Sequence, residues 1–104
     1  MKSITSNRQF NDLVEGGNPF VLDFYADWCG PCQTLLPTVE KLAKEYKENV
    51  SIFKVNIDTQ KALAEKFKVR SIPSLFFLKG NKIQDKHNGL ASETELRKKI
   101  KSLI

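Results

Sequence analysis

Both cysteines of the chain fall in one five-residue stretch, Trp28-Cys29-Gly30-Pro31-Cys32. It separates a nearly continuous apolar run, Phe20 to Ala26, from the longest helical pattern in the sequence. An apolar run, a tight turn and then a helix set both thiols at a helix N-terminus. The unpaired N–H groups and the macrodipole there stabilise negative charge, so a thiolate forms more readily than in water. Residues three apart on a helix have Cα atoms about 5 Å apart, which is within reach of a disulfide. Pro31 suits the first turn, where its missing N–H has no helical partner to lose. The stretch reads as a reversible dithiol/disulfide centre.

Two other readings use the same residues. A structural zinc site takes four ligands, and the chain offers two cysteines and one histidine, His87, so no metal site is expected. A purely structural disulfide is the second alternative, but it closes so short a loop that it constrains the unfolded chain little. C-x-x-C beside a strand-helix-strand pattern favours redox chemistry.

A chain of 104 residues can bury a core without staples, and one domain over residues 1–104 is expected. No stretch has the length of a membrane-spanning helix, and Met1 to Thr5 lack the apolar core of a secretory signal. Two neighbouring cysteines suit a reducing compartment. A cytoplasmic protein with no membrane partner is the expectation. The net charge of +5 raises the question of nucleic acid. The lysines, however, are interleaved with glutamates as i,i+4 pairs on one helix (Glu40 with Lys44, Lys41 with Glu45, Lys44 with Glu48), which describes a solvated face. The one dense run, Arg97-Lys98-Lys99 with Lys101, complements a C-terminal helix dipole. Three arginines leave little for base readout, so nucleic acid is not expected as a partner.

In chain order, Lys2 to Thr5 is a short edge strand at best. Ser6 to Gln9 has the form of a capping box, with Phe10, Leu13 and Val14 at helical spacing and Gly16-Gly17 as the stop. Phe20 to Ala26 suits a strand covered on both faces. The helix from Gly30 or Pro31 to about Glu48 carries a stripe of Leu35, Val39, Leu42 and Tyr46, with Pro37 inside it. Val50 to Ile57 alternates with period two. Asp58 or Thr59 can cap a helix bearing Leu63 and Phe67. Leu75 to Leu78 is an apolar strand, joined through Gly80-Asn81 to a polar strand ending near His87. Ser92 to Glu95 repeats the capping box before Leu96, Ile100 and Leu103. The fold class is therefore α/β, a central mixed five-stranded sheet flanked by four helices, with the first three strands parallel and the hairpin antiparallel.

The chain resembles the thioredoxin family over its whole length. The resemblance rests on Asp23 to Cys32, Pro37, Lys54-Val55-Asn56-Ile57-Asp58, Arg70-Ser71-Ile72-Pro73-Ser74 and Gly89. It implies the thioredoxin fold and a protein-disulfide reductase. Cys29 would be the attacking thiolate and Cys32 the resolving thiol, with Gly30 and Pro31 influencing the redox poise. Asp23 is already anomalous on physical grounds. A carboxylate in a doubly covered strand is costly unless paired or protonated, and burial raises its pKa towards that of a proton acceptor. The alternative is an Asp whose side chain escapes to a sheet edge. The resemblance makes Asp23 the acid that takes the Cys32 proton and Lys54 its basic neighbour. It places Pro73 after a cis bond facing the cysteines, and it makes an apolar client-binding patch of Trp28, Ile57, Ile72, Pro73 and Leu90, with Gly89 beside it. Trp28 as an ordinary core aromatic is the alternative there.

Two positions depart from the family pattern. Tyr25 stands where many relatives have a second tryptophan, and Gln33 where lysine or arginine is frequent, which removes one positive charge near the thiolate. His87 reads as a surface residue with nothing to link it to the cysteines. The implied partners are a thioredoxin reductase and disulfide-containing clients such as peroxidases and reductases. Electrons would come from NADPH through that flavin-containing reductase. With no Gly-x-Gly-x-x-Gly motif the chain itself should bind no nucleotide, and it should act as a monomer. A dedicated thiol donor to one client, or a binding subunit without turnover, are the competing readings.

Overall fold

Phe20, Val21, Leu22 and Phe24 leave no polar face on the strand they form, and the fold covers that strand on both faces and along both edges. The computed structural model describes residues 1–104. In it β2 (Pro19–Tyr25) is the middle strand of a five-stranded sheet, flanked by β3 (Ser51–Asn56) and β4 (Ser74–Lys79), with β1 (Lys2–Ser3) and β5 (Lys82–Asn88) at the edges. β1, β3 and β2 run parallel, whereas β4 and β5 pair antiparallel. With four helices, α1 (Asn7–Gly16), α2 (Gly30–Glu45), α3 (Lys61–Lys66) and α4 (Glu93–Lys101), this is the mixed sheet and helix count expected.

Period-two alternation sorts β2 between two cores. Val21 packs with Leu35, Val39 and Leu42 of α2 and with Leu96 and Ile100 of α4. Phe20, Leu22 and Phe24 pack on the other side with Phe10 of α1 and Leu63 of α3. That second core is aromatic, with Phe10, Phe24, Phe67 and Phe76 meeting mostly edge to face. Each such side chain removed from water contributes roughly 1.5–3 kcal/mol. Asp23 and Tyr25 share the face of Val21, so the strand directs both to the side of the sheet that carries α2.

Several local details differ from expectation. Ser6 Oγ accepts from Gln9 N–H at 3.1 Å, but Gln9 Oε1 reaches past the cap to the Thr5 N–H at 2.9 Å. Ser92 caps α4 through Glu95 N–H, while the Glu95 carboxylate turns to His87 instead of back to the cap. α2 ends at Glu45, three residues early. The N-cap of α3 is Gln60, without a side-chain bond. Neither Asp58 nor Thr59 caps it, because the Asp58 carboxylate is engaged elsewhere. Lys41 and Glu45 do not pair along α2 either. Both reach across to α4, Lys41 to Glu93 and Glu45 to Arg97. Gly80 turns the β4–β5 hairpin with φ +61°, as the first position of its two-residue loop requires.

Candidate active site

β2 ends at Tyr25, and Cys29 is the N-cap of α2, four residues on. Its backbone is extended, and its Sγ accepts from the Cys32 N–H at 3.2 Å. A sulfur thus occupies the place a serine or aspartate oxygen usually takes. The two cysteines are joined as a disulfide, with Cα atoms 5.3 Å apart. Gly30 and Pro31 form the exposed first turn between them. Whole-residue exposure does not set Cys29 nearer to solvent than Cys32, since the two are 5% and 4% exposed. Position separates them instead. Cys29 Sγ lies at the helix end, 3.8 Å from the Ile72 carbonyl oxygen, while Cys32 sits in the first turn. Ala26 packs with both, and Tyr25, Ile57 and Ile72 close around them.

The Ile72–Pro73 bond is cis, and Pro73 is buried immediately before β4. Its carbonyl accepts from Gly89 N–H at 2.8 Å, which brings the end of β5 beside the Ile72–Pro73 segment. Trp28 is 70% exposed and Leu90 57%, so neither is a core residue. The Trp28 indole N–H donates to Asp58 Oδ2 at 2.9 Å. Asp58 was expected to cap a helix, and no local pattern marks it as a partner for a residue thirty positions earlier.

Asp23 does not escape to an edge. It is 2% exposed, and its Oδ1 has no hydrogen-bond partner. Burial pushes its pKa from 3.8 up to about 7, against the opposing charge of Lys54. Lys54 is its lateral partner across β2 and β3 but makes no ion pair with it. The ammonium lies over the Tyr25 ring instead, 5.6 Å from the centroid. His87 is half-buried, not a free surface residue, and touches Leu90 and Glu95. No group of three or more His, Cys, Asp or Glu side chains is placed to hold a metal ion.

A bridged cysteine pair carried on a helix N-terminus at the end of a parallel strand defines a thiol–disulfide oxidoreductase of α/β architecture. The thioredoxin family model matches residues 2–102, and the chain belongs to that family. It is 35% identical to a thioredoxin of Mycoplasmoides gallisepticum, covering 97% of this chain and all of the relative. The thioredoxin of Fasciola hepatica superposes with a TM-score of 0.90 at 36% identity over all of both chains. A further neighbour, with a TM-score of 0.88 at 31% identity, covers 99% of this chain and 95% of its own. It comes from a structural account of thiol resolution in a yeast mitochondrial 1-Cys peroxiredoxin via glutathione/thioredoxin systems. The protein is accordingly a protein-disulfide oxidoreductase that acts by thiol–disulfide exchange on disulfide-containing client proteins.

Proposed function

We propose that Cys29 is the nucleophile, Cys32 the resolving thiol and Asp23 the proton acceptor of a disulfide reductase. The observation that carries the reading is the sulfur cap on α2. In the reduced protein the same Cys32 N–H and the helix dipole would favour a thiolate on Cys29. That thiolate attacks one sulfur of a client disulfide, forming a mixed disulfide and expelling the client's other sulfur as a thiolate. Cys32 then gives its proton to Asp23, and its sulfur attacks Cys29 Sγ. The Cys29–Cys32 bond forms, the mixed disulfide breaks, and the client leaves as a dithiol, two electrons richer. An Asp with a pKa of about 7 is poised to accept a proton at neutral pH and release it to solvent.

Gly30 and Pro31 set the spacing and poise of the pair, and Lys54 limits how far the Asp23 pKa rises. Trp28, Ile57, Ile72, Pro73, Gly89 and Leu90 form the client-docking surface. An extended client segment would pair with the Ile72 backbone. A flavin-containing, NADPH-dependent thioredoxin reductase returns two electrons to the disulfide. The protein works as a monomeric single domain in the cytoplasm, with peroxidases and reductases among its clients. No helix is long and apolar enough to cross a membrane.

Two measurements test the assignment. Iodoacetamide at neutral pH should modify Cys29 of the reduced protein roughly ten-fold faster than Cys32. Cys32→Ser should accumulate mixed disulfides through Cys29, and Cys29→Ser should accumulate none. Equal alkylation rates, or clients trapped on Cys32, refute it.

A further inference from the structure

Asn88, Gly89 and Leu90, at the end of β5 and just beyond it, are each held by one hydrogen bond. Ser74 Oγ donates to Asn88 Oδ1 at 2.9 Å, and Gly89 N–H donates to the Pro73 carbonyl at 2.8 Å. These two bonds tie the segment to the start of β4. The third comes from the one histidine of the chain, whose Nε2 lies 2.9 Å from the Leu90 carbonyl oxygen. A carbonyl only accepts, so Nε2 carries the proton.

The ring is itself held in place. His87 and Asp85 lie on one face of β5, two residues apart, and face α4. There Glu95 Oε2 is 3.6 Å from His87 Nδ1, and Lys99 Nζ is 2.8 Å from Asp85 Oδ2. Glu95 and Lys99 are one helical turn apart, so α4 grips the strand at two points. α4 is in turn fastened to α2 through Arg97 and Glu45. The imidazole thus links the α2–α4 pair to the backbone of Leu90, the exposed residue that follows Gly89 and its bond to the Pro73 carbonyl.

We propose that His87 is a positioning residue for client binding: it fixes the Leu90 carbonyl and so presents the Leu90 side chain to an incoming polypeptide. The inference rests on the reading of Leu90 as part of the docking surface. A loop ordered before binding pays less entropy when the client arrives. The effect therefore belongs in client affinity and leaves the chemistry at the sulfurs alone, since His87 touches neither cysteine.

The test uses the full chain, with insulin as a protein disulfide and 5,5′-dithiobis(2-nitrobenzoate) as a small one that has no chain to lie on Leu90. His87→Ala should raise the KM for insulin roughly two- to ten-fold, the worth of one hydrogen bond, with kcat held. The rate with the small disulfide should stay the same. His87→Gln, whose amide N–H can reach the same carbonyl, should recover most of the loss. His87→Thr, a strand former too short to reach, replaces the alanine variant should that one fail to fold. The proposal is overturned by an unchanged KM, by equal slowing of both substrates, or by a glutamine variant as poor as alanine. Leu90→Asp separates the two levels. If it leaves KM unmoved, the docking patch itself is refuted, and this inference with it. If it raises KM while His87→Ala does not, only the role of His87 falls.

Discussion

Asp23 lies in β2 on the α2 side of the sheet with an oxygen that nothing bonds, and burial drives its pKa up to about 7. On the outer surface of the same helix, Glu45 takes two 2.9 Å bonds from Arg97. Glu93 is shared between Lys41 and Arg97, and Asp85 is bonded to Lys99. Hydrogen bonds from these cations hold all three carboxyls below their usual range. The chain therefore pairs its acids where they join elements, and leaves one unpaired in the interior although Lys54 is its neighbour across the sheet. A buried unsatisfied polar group costs roughly 1–3 kcal/mol. No hydrogen bond to Oδ1 offsets that cost, which fits the proton-accepting role proposed for Asp23. The surface acids join elements, and the interior acid is the one proposed to carry chemistry.

The sharpest way to break this contrast is Asp23→Ala. Resolution of the mixed disulfide should slow by about 10²-fold or more, the usual weight of a positioned base, while the first attack by Cys29 stays nearly intact. Stopped-flow single turnovers resolve the two steps, and an unchanged second step removes Asp23 from the mechanism. The same variant should be more stable than the parent at pH 7, because the buried charge is gone.

Stability against pH sharpens the comparison further, because the two groups of acids act with opposite sign. Between pH 3.8 and about 7 the folded state holds a proton on Asp23 that the unfolded chain has released. The folded state then binds more protons, so stability falls as pH rises through that window, by an amount on the order of a few kcal/mol. Asp23→Asn should flatten this slope in urea titrations; a slope of equal size in the variant assigns it to another group. For Glu45, Glu93 and Asp85 the folded pKa is lowered, and stability is present above the ordinary carboxylate range and lost as pH falls through it.

The smallest effect should follow from Arg97→Met, which opens the fork between α2 and α4. Its groups are partly exposed, so a slight fall in melting temperature at low salt is expected, disappearing near 1 M salt where the Debye length is about 3 Å. A large, salt-independent loss would show that this surface cluster behaves like a buried one after all.

Much of the site is legible in the sequence. Two cysteines three apart, an apolar run and a proline-started helix already placed a thiol pair at a helix N-terminus, and Asp23 stood out as the one charge in Phe20–Ala26. Less legible were partners set by contacts between distant segments. Asp58 matched a helix cap by spacing, yet its carboxylate meets Trp28. Lys41 and Glu45 match an i,i+4 pair, yet each finds its partner on α4: Lys41 reaches Glu93, and Glu45 takes the planar fork of Arg97, which a lysine along the helix cannot offer. His87 had no local pattern at all, because its partners are the Leu90 carbonyl and a carboxylate on the following helix.

What the sequence by itself determined is whatever depends on residues within a turn or a strand of each other. That includes the alternation that sorts β2 between two cores, the Ser6 and Ser92 caps, and the spacing that lets Cys29 and Cys32 close. These follow from backbone period and local hydrogen bonding, which a short segment carries with it. Only the tertiary structure decided that Asp23 goes unpartnered beneath α2, that Trp28 and Leu90 stay exposed, and that Ile72 closes on the sulfurs while Gly89 bonds the neighbouring Pro73. Burial and long-range pairing depend on which elements stack, and stacking is settled by the apolar surface the whole chain must remove from water.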